Sequence, residues 1–403
     1  MRLCEVRIDG SEGGARLVAV AEDAHGKRLS DVWFEYGDEY RDFVRADADV
    51  FVPMMLVGSM LLGEPLETDL AVSAQVAAEL CEIQAIFTTW FPERLKGRRP
   101  QLAKVVSKPA AESRNTAAFF SAGVDAFYVV LKHRRGEGDG AAPLTHLVYM
   151  KGLEAPLSKI RGGKESRIAA IAEGLGLPVI MGRTNLRDCF DYEYVPYVCG
   201  PALASVALSL SGGLSRMLVP SGSTYRQEDL YPASTHPFLD RLWSTEYLEV
   251  RPDGGEATRA RKTAYIASEP LVLENLSVCI ENLGEFENCC RCSKCIRTMI
   301  SLQALGVLER AVTFESPFDY ELIRRISLDN PVGRAYFTQN IELARETGRD
   351  PRLTRALERH LRRWEKYRAL VTLVTDTPLH PPVRRLHELF KRGSRRRGES
   401  QKA

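Results

Sequence analysis

Long hydrophobic runs are the first thing this sequence lacks. The longest, Val50 to Leu62, is interrupted by Pro53, Gly58 and Ser59 and is too short to span a bilayer. The first eight residues, Met-Arg-Leu-Cys-Glu-Val-Arg-Ile, have no apolar core of the kind a secretory signal carries and read as a strand. An excess of one charge is also missing. Lys and Arg number 55 against 53 Asp and Glu, a net +2 over 403 residues, so no global field argues for nucleic acid. The composition is that of an ordinary globular protein long enough for two or three domains and a large core. Of the nine cysteines, five fall between Cys279 and Cys295. That clustering points to a metal site in a reducing compartment rather than a disulfide framework, and the expected location is cytoplasmic, with no membrane partner.

Three regions are expected. Residues 1–105 read as an N-terminal α+β module: alternating patterns at Cys4–Ile8, Ala15–Ala21 and Val32–Tyr36 suggest strands, and apolar residues spaced by three and four from Val72 to Ile83 suggest a helix ended by Trp90-Phe91-Pro92. Lys96-Gly97-Arg98-Arg99-Pro100 reads as a solvated linker. In residues 106–310, strands at His146–Met150, Pro178–Arg183 and Arg216–Pro220 alternate with helices at Glu165–Leu175 and Ala202–Leu210. This pattern predicts an α/β fold, a doubly wound parallel sheet covered on both faces, with ligands outside the carboxyl ends of its strands. Residues 311–403 read as a helical extension. Its basic tail, Arg384 to Arg397, is expected to be solvated, with RNA, an acidic partner or a membrane face as alternatives.

One stretch organises the central region: Phe119-Phe120-Ser121-Ala122-Gly123-Val124-Asp125-Ala126-Phe127. An apolar strand precedes it and a helix follows. A small-residue turn at such a junction exposes backbone N–H groups and the positive end of a helix dipole, which makes a phosphate cradle. It lacks the lysine of a Walker loop, which excludes that family. Ser211-Gly212-Gly213-Leu214-Ser215-Arg216 looks superficially alike, but it follows a helix and precedes a strand, so it reads as a helix-ending turn.

Residues 121–126 resemble S-G-G-x-D-S, the PP-loop of the ATP pyrophosphatases. The departures are Ala122 for the second glycine, expected to be tolerated at a negative φ, and Ala126 for the last serine, which removes a hydroxyl. The resemblance implies that Ser121, Ala122, Gly123, Val124, Asp125 and Ala126 hold the triphosphate of ATP. It also implies that a substrate is adenylated with release of pyrophosphate.

The cysteines form Cys279-x9-Cys289-x2-Cys292-x2-Cys295, a spacing that closes a tetrahedral zinc knuckle; an Fe–S or redox role is the alternative. Arg291, Lys294 and Arg297 are expected to offset the thiolate charge, and Cys290 to point away. A PP-loop region followed by this knuckle is similar to the 7-cyano-7-deazaguanine synthase (queuosine-pathway) branch of the ATP pyrophosphatases, over roughly residues 115–305. The branch implies a HUP/PP-loop sheet with structural zinc. It also implies an ATP-activated carboxylate that an amine or ammonia attacks, giving an amide and then a nitrile. Because residues outside 115–305 fall beyond the resemblance, a different small-molecule carboxylate, or a protein or RNA substrate, is expected. A sulfur-transferring PP-loop enzyme acting on RNA and a catalytically impaired ATP-binding interaction module are the competing readings.

Adenylation needs phosphate binding, a Mg²⁺ ligand and positive charge for the leaving pyrophosphate. Asp125 is the candidate Mg²⁺ ligand, with helix capping as its other reading. Lys262 and Arg259, at the start of a helix, are the candidate cations. Arg183, Asn185 and Ser221, at strand ends, are candidate nucleotide contacts. His236, in the polar and aromatic segment that follows Ser221, is a candidate proton carrier, with a structural role as the alternative.

Overall fold

The computed structural model describes residues 1–375 apart from 12–13, 139, 141–142, 161, 191–192, 227–229 and 283–285. The strands are β1 (Arg2–Ser11), β2 (Gly14–Glu22), β3 (Val32–Gly37), β4 (Glu67–Ser73), β5 (Gln101–Val106), β6 (Thr116–Phe119), β7 (Leu144–Lys151), β8 (Val179–Thr184), β9 (Arg216–Pro220) and β10 (Glu249–Asp253). The helices are α1 (Val52–Leu62), α2 (Ala74–Trp90), α3 (Val124–Arg134), α4 (Glu165–Leu175), α5 (Leu186–Cys189), α6 (Cys199–Ser209), α7 (Arg259–Ile266), α8 (Pro270–Asn275), α9 (Ser293–Leu305), α10 (Pro331–Thr347) and α11 (Pro351–Thr375). None of the described helices is long and apolar enough to cross a membrane.

The fold is α/β. One ten-stranded, mostly parallel sheet runs β10-β9-β6-β7-β8-β3-β2-β1-β4-β5. The chain goes from β6 outward through β7 to β8, then returns to place β9 on the other side of β6. Such a reversal is the switch point at which an open α/β sheet forms its ligand crevice, here the carboxyl ends of β6 and β9. The strand period of two explains why both faces are covered. On β6 and the residue after it, Ala117 and Phe119 enter one core with Met217 and Val219, and Ala118 and Phe120 enter the other with Leu218 and the apolar residues of α3. Glycine is required at Gly152, just past β7: its φ is +95°, and a Cβ there would stand 2.0 Å from the Thr184 carbonyl oxygen on β8.

The N-terminal strands share this sheet. β3 pairs antiparallel with β8, and Met1, Leu3, Leu17 and Phe34 share a core with Met217 and Trp243. Asp49, fully buried, joins the two parts through Lys108 (2.7 Å) and the Tyr247 hydroxyl (2.7 Å). The charged stretch before residue 101 leads into β5 at the sheet edge, and β10 is the opposite edge; neither strand was legible in the sequence. The basic tail lies outside the described residues.

Candidate functional site

The turn from β6 into α3 is built as a cradle. Gly123 caps α3 with its side-chain position empty, and only Phe127 N–H returns to the Gly123 carbonyl (3.0 Å). Among the described residues no acceptor takes the N–H groups of residues 121–126. Several donors at the start of an eleven-residue helix are therefore left for a ligand or for solvent.

Ala122 departs from expectation. Its φ is +58°, in the left-handed region, so the condition under which alanine would replace glycine without strain, a negative φ, is not met. The turn needs that conformation because the Ala122 carbonyl must face the Ser277 N–H, which it accepts at 2.9 Å. A Cβ costs about 1–2 kcal/mol there, which is why glycine is the natural occupant. Ala126 is buried in the core of α3, as is Val124.

Asp125, in the first turn of α3, is the carboxylate that Arg259 and Lys262 contact directly. Arg259 of α7 donates to Oδ2, and Lys262 Nζ lies 3.4 Å from Oδ1. Burial alone would raise the carboxyl pKa, but the charges of Arg259, Lys262 and Arg297 win and hold it below the usual range. Helix α7 presents both cations because Thr258 caps it, accepting from Arg261 N–H at 3.3 Å, which fixes positions 259 and 262 one turn apart on the same face. The Lys262 ammonium, almost wholly buried, also donates to the Ser221 carbonyl at the end of β9 (2.6 Å). Burial, opposed by Asp125, lowers the Lys262 pKa. Asp125, Arg259, Lys262 and Ser221 thus converge on the crevice; Ser221 contributes its backbone, with its hydroxyl turned to the Ser223 carbonyl (2.8 Å).

Two further cations come from α9. Arg297 stacks on the Tyr336 ring at 4.2 Å, and its guanidinium makes no hydrogen bond or ion pair among the described residues. Burial and the charge of Arg259 push its pKa down to about 10. Lys294, one turn earlier, also has no ion-pair partner among the described residues, and burial with Arg259 and Arg297 lowers its pKa. The sequence reading gave both to the thiolates, whereas the structure turns them towards Asp125 and Arg259. The spacing of three that puts residues 294 and 297 on one face of α9 was the available signal. Ser277, missed entirely, keeps a buried hydroxyl without a partner beside the loop, and the Nε atoms of Arg259 and Arg297 are likewise buried and unmatched. Such donors and charges are costly without an anion to receive them.

The remaining candidates lie elsewhere. Arg183 pairs with Glu35 of β3 (2.6 Å) and lies over Trp33, on the antiparallel flank two strands from β6. The Asn185 amide is spent on the same flank, accepting from Trp33 N–H (2.9 Å) and donating to the Asp31 carbonyl (2.8 Å). His236 is not placed as a proton carrier. It is buried between Trp90 and Phe238, its Nδ1 accepts from Phe238 N–H (3.1 Å), and burial lowers its pKa to about 4.

The four sulfurs of Cys279, Cys289, Cys292 and Cys295 lie within 4.8 Å of one another. Sγ of Cys295 is 3.9 Å from that of Cys289 and 3.4 Å from that of Cys292, close to the ~3.8 Å edge that 2.3 Å Zn–S bonds impose on a tetrahedron. Backbone N–H groups of residues 281, 282, 292 and 295 point at three of the sulfurs from 3.3–3.4 Å, as thiolate ligands require. The four residues could hold a metal ion. Cys290, at φ +57°, turns away towards the Asn288 carbonyl (3.4 Å). Because Cys292 is also the N-cap of α9, the knuckle sets the start of the helix that carries Lys294 and Arg297.

Comparison with protein-family models, curated proteins and solved structures gives no match for this chain.

Proposed function

We propose that the crevice binds the triphosphate of ATP and that the chain adenylates a carboxylate, releasing pyrophosphate, as the PP-loop resemblance implies. The observation that carries this reading is the charge imbalance: of the cations Arg259, Lys262, Lys294 and Arg297, only the first two touch a carboxylate among the described residues, Asp125, beside unpaired N–H groups at the start of α3, while Glu256 and Glu154, which lie near Lys262 and Lys294, are paired with Lys132 (3.0 Å) and Lys164 (3.7 Å). A polyphosphate supplies the missing negative charge and acceptors. In the reaction, the N–H groups of residues 121–126 hold phosphate oxygens, while Arg297 and Lys294 stabilise charge on the leaving pyrophosphate. Lys262 orders the loops after β6 and β9 through Asp125 and the Ser221 carbonyl. Asp125 would offer its carboxylate to Mg²⁺, which would supply positive charge against the phosphates.

Zinc is the proposed metal of the four-cysteine site, with a structural role. The acyl adenylate would pass to an amine or ammonia. Calorimetric titration tests the binding half of this reading: the protein should bind pyrophosphate and a non-hydrolysable ATP analogue, and Lys262→Met should weaken both at least tenfold. Equal binding by the variant, or none by the wild type, contradicts it.

A further inference from the structure

The C-terminal helix α11 carries a second cationic feature, separate from the crevice. Arg352, Arg355, Arg359 and Arg363 recur at intervals of three and four, so they form one stripe about 16 Å long. The stripe lines a concave groove of about 230 Å³ whose opposite wall includes Tyr320. Arg352 lies over the Tyr320 ring at 4.1 Å. All four arginines are exposed, and none has an ion pair among the described residues. Of the acidic groups nearby, Glu321 pairs with Arg324 (2.7 Å), Glu358 with Arg345 (2.8 Å) and Arg362 (3.7 Å), and Asp350 accepts from the Tyr320 hydroxyl (2.6 Å) and the Gln303 amide (2.9 Å). Like charges three and four residues apart each cost a helix a few tenths of a kcal/mol, so the bare stripe opposes folding. The opposite face of α11 accounts for the helix, since Leu353 and Leu357 are fully buried in the C-terminal core.

We propose that this groove binds the phosphodiester backbone of single-stranded nucleic acid. Arginine rather than lysine throughout suits bidentate contact with phosphate. One turn beyond Arg363 the stripe continues into Tyr367, an exposed ring at 52%, followed by Leu370 at 60%. A cationic groove that leads to an exposed ring is the arrangement that tracks a backbone and stacks a base. An acidic peptide would match the charge but has no use for the ring.

The test is fluorescence anisotropy of the full chain with a labelled 15-nucleotide RNA of mixed sequence, from 50 to 200 mM salt. The variants are Arg355→Gln/Arg359→Gln/Arg363→Gln and, separately, Tyr367→Ala. Losing three phosphate contacts should make the slope of log K against log salt shallower by ~2 and weaken binding at least tenfold at low salt. Tyr367→Ala should weaken binding with the slope unchanged. All substituted side chains are exposed, so the melting temperature should not fall. No binding, or a triple variant with the wild-type slope, overturns the proposal. Equal affinity for a labelled oligoglutamate, lost in the same triple variant but kept in Tyr367→Ala, overturns it in favour of an acidic protein partner. Neither outcome bears on ATP binding in the crevice.

Discussion

Replacing Arg297 by methionine should stabilise the ligand-free protein and yet weaken its response to pyrophosphate. Burial beside Arg259 lowers the Arg297 pKa to about 10. At ~1.4 kcal/mol for each tenfold change, and allowing for partial solvent access, the charge costs the folded state about 1–3 kcal/mol. A cation with a lowered pKa opposes folding at every pH below that value, so the cost is present throughout pH 6–8. Methionine retains the apolar stem and forfeits the stack on Tyr336, worth about 0.5–2 kcal/mol. The net expectation is a gain of about 1 kcal/mol in buffer free of phosphate and sulfate. With pyrophosphate at a hundred times the wild-type Kd, the wild type gains ~2.7 kcal/mol. Loss of a charge-assisted contact of ~2–3 kcal/mol would leave the variant a gain of under about 1 kcal/mol. The order of melting temperatures should therefore reverse between the two buffers, by calorimetry or dye-reported unfolding. A variant less stable in both buffers, or equal pyrophosphate shifts, would refute the reasoning.

Three other expectations follow from the same geometry. Ala122→Gly, at φ +58°, should stabilise the chain by about 0.5–1 kcal/mol, the relieved strain less the added freedom of the unfolded chain; denaturant unfolding measures it, and a loss of stability would mean that the turn is not left-handed. Asp240 is buried, and burial raises its pKa to about 8, so its favourable contribution is full below the ordinary carboxyl range and is lost as pH climbs towards 8. Asp240→Asn keeps the oxygen that accepts His236 N–H and should add roughly 3–5 kcal/mol at pH 8 but little at pH 4, read from unfolding curves at both values; a pH-independent effect would contradict this. Cys292→Ser should lower bound metal, measured by elemental analysis, and the melting temperature together, whereas Cys290→Ser should leave both unchanged.

The parallel half of the fold was legible because buried strands and amphipathic helices alternate there with clear end signals, such as Gly176 closing α4 at φ +67°. The edges were not: β5 is exposed on one face and only half-buried at Leu102 and Val106 on the other, and β10 contains a proline, so neither carries the pattern of a buried strand. Within the site, Asp125, Arg259 and Lys262 could be proposed from local sequence because each sits in the first turn of a helix. Arg183 and Asn185 misled because a strand end was assumed to open on the crevice, while β3, far away in sequence, claims both side chains. Lys294, Arg297 and Ser277 reach the loop only through tertiary folding, the first two on a helix whose start the cysteine knuckle fixes.

The central claim is carboxylate activation by ATP in the crevice after β6 and β9. ATP–pyrophosphate exchange across a panel of carboxylic acids tests it most directly. The account predicts exchange with at least one acid, formation of AMP rather than ADP, and loss of exchange in both Lys262→Met and Asp125→Ala. Exchange that survives Asp125→Ala would remove that residue as the Mg²⁺ ligand. ADP as the product, or binding of ATP with no exchange for any acid, would contradict the claim itself.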